Sequence, residues 1–111
     1  MNTITTENAA TWYRACLVDD IPVLGARKLT SNKHGNIALF RNGDNEIFAL
    51  LDKCPHQGGP LSEGIVHGRS VTCPLHNWCI RFDNGEAVEP DEGCTSTFEV
   101  KVEDGEVFIQ L

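Results

Sequence analysis

Cys54-Pro55-His56-Gln57-Gly58-Gly59-Pro60-Leu61 is the stretch around which the chain is organised, and Cys73-Pro74-Leu75-His76-Asn77-Trp78 repeats its chemistry. Each supplies one thiol and one imidazole, with 16 residues (57–72) between His56 and Cys73. Thiolate and imidazole are strong protein ligands for soft and borderline metals. Cys54 and His56 are one residue apart, so an extended backbone projects both to the same side. Cys73 and His76 are two apart across Pro74, a spacing that suits a turn. Two loops of this kind could close a four-coordinate zinc site. They could also hold the two ends of a [2Fe–2S] cluster, with both cysteines on one iron and both histidines on the other.

Zinc sites commonly pair like with like, Cys near Cys and His near His, whereas the order here is mixed. The two stretches resemble the cluster-binding loops of Rieske proteins. Four ligands, two prolines, the Gly-Pro-Leu after the first loop and the aromatic residue after the second carry the resemblance. It implies a Rieske-type [2Fe–2S] cofactor, with Cys54 and Cys73 on one iron and His56 and His76 on the other. Pro55 and Pro74 fix φ and stiffen the loops. Gly58 and Gly59 let the chain turn tightly, and Leu61, Leu75 and Trp78 are expected to wall the site from water. Replacing two thiolates by neutral imidazoles removes two negative charges and raises the potential.

Within the family the details narrow. Rieske proteins of respiratory complexes carry two further cysteines that clamp the loops together, and the matching positions here are Gly59 and Leu75. High-potential members place Ser and Tyr hydroxyls where this chain has Trp78 and Ile80, which implies a lower potential. Trp12, the run from Cys73 to Ile80, Gly85-Glu86-Ala87 and Asp91-Glu92-Gly93-Cys94 resemble the small subunit of assimilatory NAD(P)H-dependent nitrite reductase; Arg81-Phe82-Asp83-Asn84 departs from it. That resemblance implies an accessory subunit supporting reduction of nitrite to ammonia, with a large flavin and siroheme subunit as partner. No catalytic residue and no nitrite turnover are expected from this chain alone. The alternative is a soluble Rieske ferredoxin that passes electrons to a ring-hydroxylating dioxygenase.

Composition bounds the function further. A chain of 111 residues with 41% hydrophobic content suits one domain with a modest core. Residues 1–11 read as a polar tail without the apolar segment of a signal peptide, and residues 12–111 as a single domain. No apolar run approaches the roughly 20 residues of a membrane span. Five cysteines without an export signal argue against a disulfide framework and for a cytoplasmic protein. Cys16, Cys79 and Cys94 are therefore expected as free thiols. Residues 1–80 are charge-balanced, and residues 81–111 set nine acids against Arg81 and Lys101, so the formal charge of −7 resides there. Nucleic-acid binding needs a basic face and is excluded on that ground. An acidic surface suits a basic partner.

The hydrophobic pattern predicts short strands at 12–18, 23–29, 37–40, 47–51, 65–67, 70–72, 79–82, 98–102 and 106–109. Asn42-Gly43-Asp44-Asn45, Gly68-Arg69 and Glu103-Asp104-Gly105 mark hairpins. No segment keeps a helical period for three turns. The expectation is an all-β antiparallel sandwich or partial barrel, with the loops at 54–61 and 73–78 forming the tip of an inserted cluster-binding subdomain. His34 and His67 are expected as exposed residues outside the ligand set.

Overall fold

The computed structural model describes residues 12–55, 58–75, 77–89 and 91–111. Ten strands follow in chain order: β1 (Trp12–Leu17), β2 (Gly25–Ser31), β3 (Gly35–Arg41), β4 (Ile47–Leu51), β5 (Ile65–His67), β6 (Ser70–Thr72), β7 (Cys79–Arg81), β8 (Thr97–Phe98), β9 (Val100–Glu103) and β10 (Glu106–Gln110). They form three antiparallel sheets, ordered β1-β10-β9, β2-β3-β4-β8 and β5-β6-β7. The only helical segments among the described residues are two three-residue 3-10 turns, Val18–Asp20 and Leu61–Glu63. The protein is all-β, as its hydrophobic periods predict.

The central sheet explains a sequence feature that alternation does not. Residues 37–40, Ile-Ala-Leu-Phe, are apolar without a break, and all four are fully buried. A strand covered on both faces needs no polar side. Ile37 and Leu39 enter one core with Cys16, Ile21, Ala49, Val107 and Ile109. Ala38 and Phe40 point the opposite way, into a second core with Leu50, Leu61, Val66, Val71, Ile80 and Phe82. That second core also contains Cys54 and Cys73. β3 is thus a wall shared by the terminal sheet and the sheet that carries the ligand loops.

Aromatic contacts fasten the β5-β6-β7 unit to this wall. Phe82, just after β7, stacks on Phe48 of β4 at 4.7 Å between centroids and 13°, and lies 4.9 Å from Phe40. Arg69, in the β5–β6 turn, sits 5.5 Å over the Phe48 ring and 3.7 Å from Glu46. Its carbonyl accepts the Phe82 N–H at 2.9 Å.

Most strand ends shift by one or two residues from the expectation, and two differences have a clear structural cause. β2 starts at Gly25, because Pro22–Gly25 is a turn closed by the Gly25 N–H on the Pro22 carbonyl, with Leu24 at φ 59°. The run expected at 98–102 is two strands in two sheets: Phe98 pairs with Ala49, whereas Val100 pairs with Ile109. The break at Glu99 lets the chain pass from the central sheet to the terminal one.

Candidate metal centre

The first ligand loop follows β4 and the second links β6 to β7, strands anchored in the core by Leu50, Val71 and Ile80. Each is closed at its base by the same bond. The Cys54 N–H donates to the Gly59 carbonyl at 2.8 Å, and the Cys73 N–H donates to the Trp78 carbonyl at 2.6 Å. Both bonds join residue i to residue i+5, so the loops are equal in span although their sequences differ. The Gly58 N–H returns to the Cys54 carbonyl at 2.8 Å, and Asn77 takes φ 58° in the tight turn of the second loop. Asp52 braces the first loop from behind: one carboxylate oxygen accepts the Ser62 N–H and the other its hydroxyl, both at 2.7 Å.

Cys54 and Cys73 are brought together in the interior, 2% and 0% exposed. Burial first, and then the neighbouring Cys54 thiol, push the Cys73 thiol up to about 11; the Leu75 N–H, 3.4 Å from Cys73 Sγ, acts the other way. Two thiols buried together in this way are well placed to share one cation.

The loops also fit each other closely. A Cβ placed on Gly59 would stand 2.8 Å from Leu75 Cδ1 and 3.3 Å from Cys73 Sγ, so a side chain there would force Leu75 to move. Gly59 and Leu75, the two positions read as lacking a clamping disulfide, are therefore in contact. A third segment, residues 82–89 and 91–96, meets these loops at Gly93. It is tied to β7 by an Ile80–Ala87 bridge and folded on itself by a Glu86–Cys94 bridge. At Gly93 a Cβ would lie 3.2 Å from Pro55 and 3.7 Å from the Trp78 ring. Beside the first loop is a cleft of about 350 Å³, lined among others by Lys53, Cys54, Pro55, Gly58 and Cys94.

His56 and His76, with Gln57 and Pro90, lie outside the described residues. Of the residues expected to shield the site, Leu61 is fully buried, but Leu75 is 40% exposed, because its side chain caps Gly59 from the solvent side. His34 differs from expectation. Its ring lies edge-on to Phe98 at 5.0 Å with Nε2 buried, since the turn before β3 folds onto β8. His67 is exposed, as expected. Cys16 is buried on β1, and burial raises its thiol pKa. All five cysteines are free. The bridges place Cys79 and Cys94 on the outer two of three adjacent segments, not side by side.

A buried thiol pair, a backbone donor aimed at one sulfur and a glycine that leaves room beside it fit an iron–sulfur group. Residues 11–99 match the Rieske [2Fe-2S] domain family. The chain belongs to that family. Its cofactor is a Rieske [2Fe–2S] cluster, and the chain is a Rieske ferredoxin-type protein of the kind that serves oxidoreductase systems. A 3-phenylpropionate/cinnamic acid dioxygenase ferredoxin subunit from Photorhabdus laumondii is 38% identical over 99 residues, covering 86% of this chain and 90% of that one. The complex of reduced oxygenase and oxidized ferredoxin in carbazole 1,9a-dioxygenase contains a chain matching with TM-score 0.79 and 29% identity, over 89% of this chain and 92% of that one. A Mycobacterium tuberculosis protein described as an NADH-dependent nitrite reductase small subunit superposes with TM-score 0.82 at 21% identity, over 92% of this chain and 96% of that one, which is a likeness of fold.

Proposed function

We propose that this Rieske protein is an electron-carrying ferredoxin that delivers electrons one at a time to a ring-hydroxylating dioxygenase. The observation that carries the reading is the near end-to-end similarity, at 38% identity, to a dioxygenase ferredoxin subunit. The nitrite reductase reading rests on local motifs and on a likeness of fold at lower identity. In this proposal Cys54 and Cys73 hold one iron, and His56 and His76 the other. When bound, the cluster supplies a one-electron couple.

The chain's own part is to hold, shield and present. The two i-to-i+5 closures fix the cysteine backbones, and the Leu75 N–H donates to Cys73 Sγ, a contact that favours added negative charge there. Phe82, Phe48 and Phe40 keep the loop-bearing sheet from shifting against the central one. In the segment between β7 and β8, Asp83, Glu86, Glu89, Asp91 and Glu92 make no ion pair among the described residues. That acidic stretch suits an oxygenase or reductase whose docking face is basic.

The test is reconstitution. The cluster-loaded protein, reduced by an NAD(P)H-dependent flavin reductase, is expected to support turnover by a ring-hydroxylating dioxygenase. In contrast, it should form no stable complex with a flavin/siroheme nitrite reductase subunit. Tight binding to that subunit, together with no delivery to the dioxygenase, would restore the nitrite reductase assignment.

A further inference from the structure

The side chain of Lys53 runs along the solvent side of the first ligand loop, next to Cys54. A Cβ built on Gly58 would meet Lys53 Cε at 3.5 Å and Cγ at 3.8 Å, so the stem lies against the loop at ordinary contact distance. Gly58 is the residue whose N–H returns to the Cys54 carbonyl at 2.8 Å. At the root of the stem, the Lys53 N–H donates to the Leu51 carbonyl at 2.7 Å, which turns the backbone sharply before the loop begins. Lys53 also lines the cleft of about 350 Å³ together with Cys54, Thr95 and Ser96.

The Lys53 ammonium is uncompensated. It makes no ion pair among the described residues. Its neighbour Asp52 directs both carboxylate oxygens to Ser62 instead. The free acids of the segment between β7 and β8 leave it unpaired as well. A chain of formal charge −7 sets its overall field against an added electron. A cation held on the loop that carries Cys54 acts the other way, and nearness gives it weight.

We propose that Lys53 is a tuning residue, whose cation raises the reduction potential of the cluster by favouring the extra negative charge of the reduced state. The inference rests on Cys54 as an iron ligand and is independent of the partner enzyme. Because Lys53 is exposed, salt screens its charge, so the effect is largest at low ionic strength.

The experiment is a redox titration of the cluster-loaded protein in solution at low ionic strength, followed by visible absorbance. Lys53→Met keeps an apolar stem over Gly58 and removes the charge. It should lower the equilibrium constant for reduction about threefold, or roughly 30 mV for one electron. Lys53→Arg should stay near the parent value, and concentrated salt should shrink the difference between parent and Lys53→Met. Lys33→Met is the control for net charge. Lys33 is exposed in the turn before β3 and makes no ion pair among the described residues, so its loss should shift the constant less. A constant unmoved or raised in Lys53→Met, or lowered equally by Lys33→Met, overturns the proposal. Retention of the cluster in Cys54→Ser would instead overturn the ligand assignment, and the proposal with it.

Discussion

Asn42 Nδ2 donates to the Gly68 carbonyl across 3.0 Å, and this bond ties the β3–β4 hairpin to the tip of the β5–β6 hairpin. Asn42 is the one polar residue buried to 1% exposure among the described residues, and its whole amide is used. Nδ2 also donates to Glu46 Oε1 at 2.8 Å, while Oδ1 accepts the Asp44 and Glu46 amides at 3.0 and 2.9 Å. One side chain thus shapes a turn and joins two sheets. Asn42→Ala leaves buried partners unpaired and should cost about 1–3 kcal/mol in urea denaturation. Asn42→Asp keeps the acceptor but loses both donors and sets a second carboxylate beside Glu46, so it should be no milder. An Asn42→Asp protein as stable as the parent would show that the link to Gly68 is unimportant.

Phe82 is the second fastening. Truncation to Ala removes a stacked ring from the core that also holds Cys54 and Cys73. A loss of about 3–5 kcal/mol is expected. Phe82→Leu should recover most of it, as read by thermal unfolding.

Gly59 and Leu75 lend themselves to a double-mutant cycle. Gly59→Ala pushes a methyl group into Leu75 and should speed cluster loss, followed by bleaching of the visible absorbance. Shortening the partner, Leu75→Ala, opens space at Cδ1, so the double variant should lose its cluster more slowly than Gly59→Ala alone. Strict additivity of the two effects would mean that the loops do not meet through this pair.

Alkali tests the buried thiol pair in protein prepared without iron. The Cys73 thiol is raised from 9.0 to about 11 in the folded chain, so the folded state keeps its proton where the unfolded state releases it. This contribution to stability is complete below pH 9 and is lost as the pH rises toward 11. The urea midpoint of the metal-free protein should fall across that window. Cys73→Ser should flatten the fall, and an unchanged slope would assign it to other groups.

The potential follows from the groups near the second loop. Trp78 and Ile80 stand where high-potential members of the family have hydroxyl donors. At about 1–2 kcal/mol per donor, the loss is on the order of one to two hundred millivolts. The midpoint should lie in the lower half of the range from about −150 to +300 mV. Protein-film voltammetry giving a value near the top would contradict this.

Much of the fold was legible because strand periods and turn residues are local signals. The paired loops were legible because two Cys–Pro motifs with a following His are rarely accidental. What escaped is what depends on distant residues meeting. The 37–40 run indicates burial on both sides without naming the two cores. Gly59 and Leu75 are 16 positions apart, and their contact needs β5 and β6 to fold back between them. The passage from β8 to β9 at Glu99 breaks a run that is apolar in pattern but divided between sheets. Functional class was the least legible part: motifs around the second loop pointed to a nitrite reductase subunit, whereas similarity along the whole chain favours a dioxygenase ferredoxin.

The double-sided burial of β3 makes the molecule one cooperative unit. Ile37 and Leu39 pack with the terminal sheet, and Ala38 and Phe40 with the ligand-bearing core, so neither half can open without dragging on the other. Amide hydrogens of β3 should therefore be the slowest to exchange, at rates set by global unfolding. Iron bound at one end is then felt at β10, which shares that wall. Holding the cluster raises the protection of strands that never approach it.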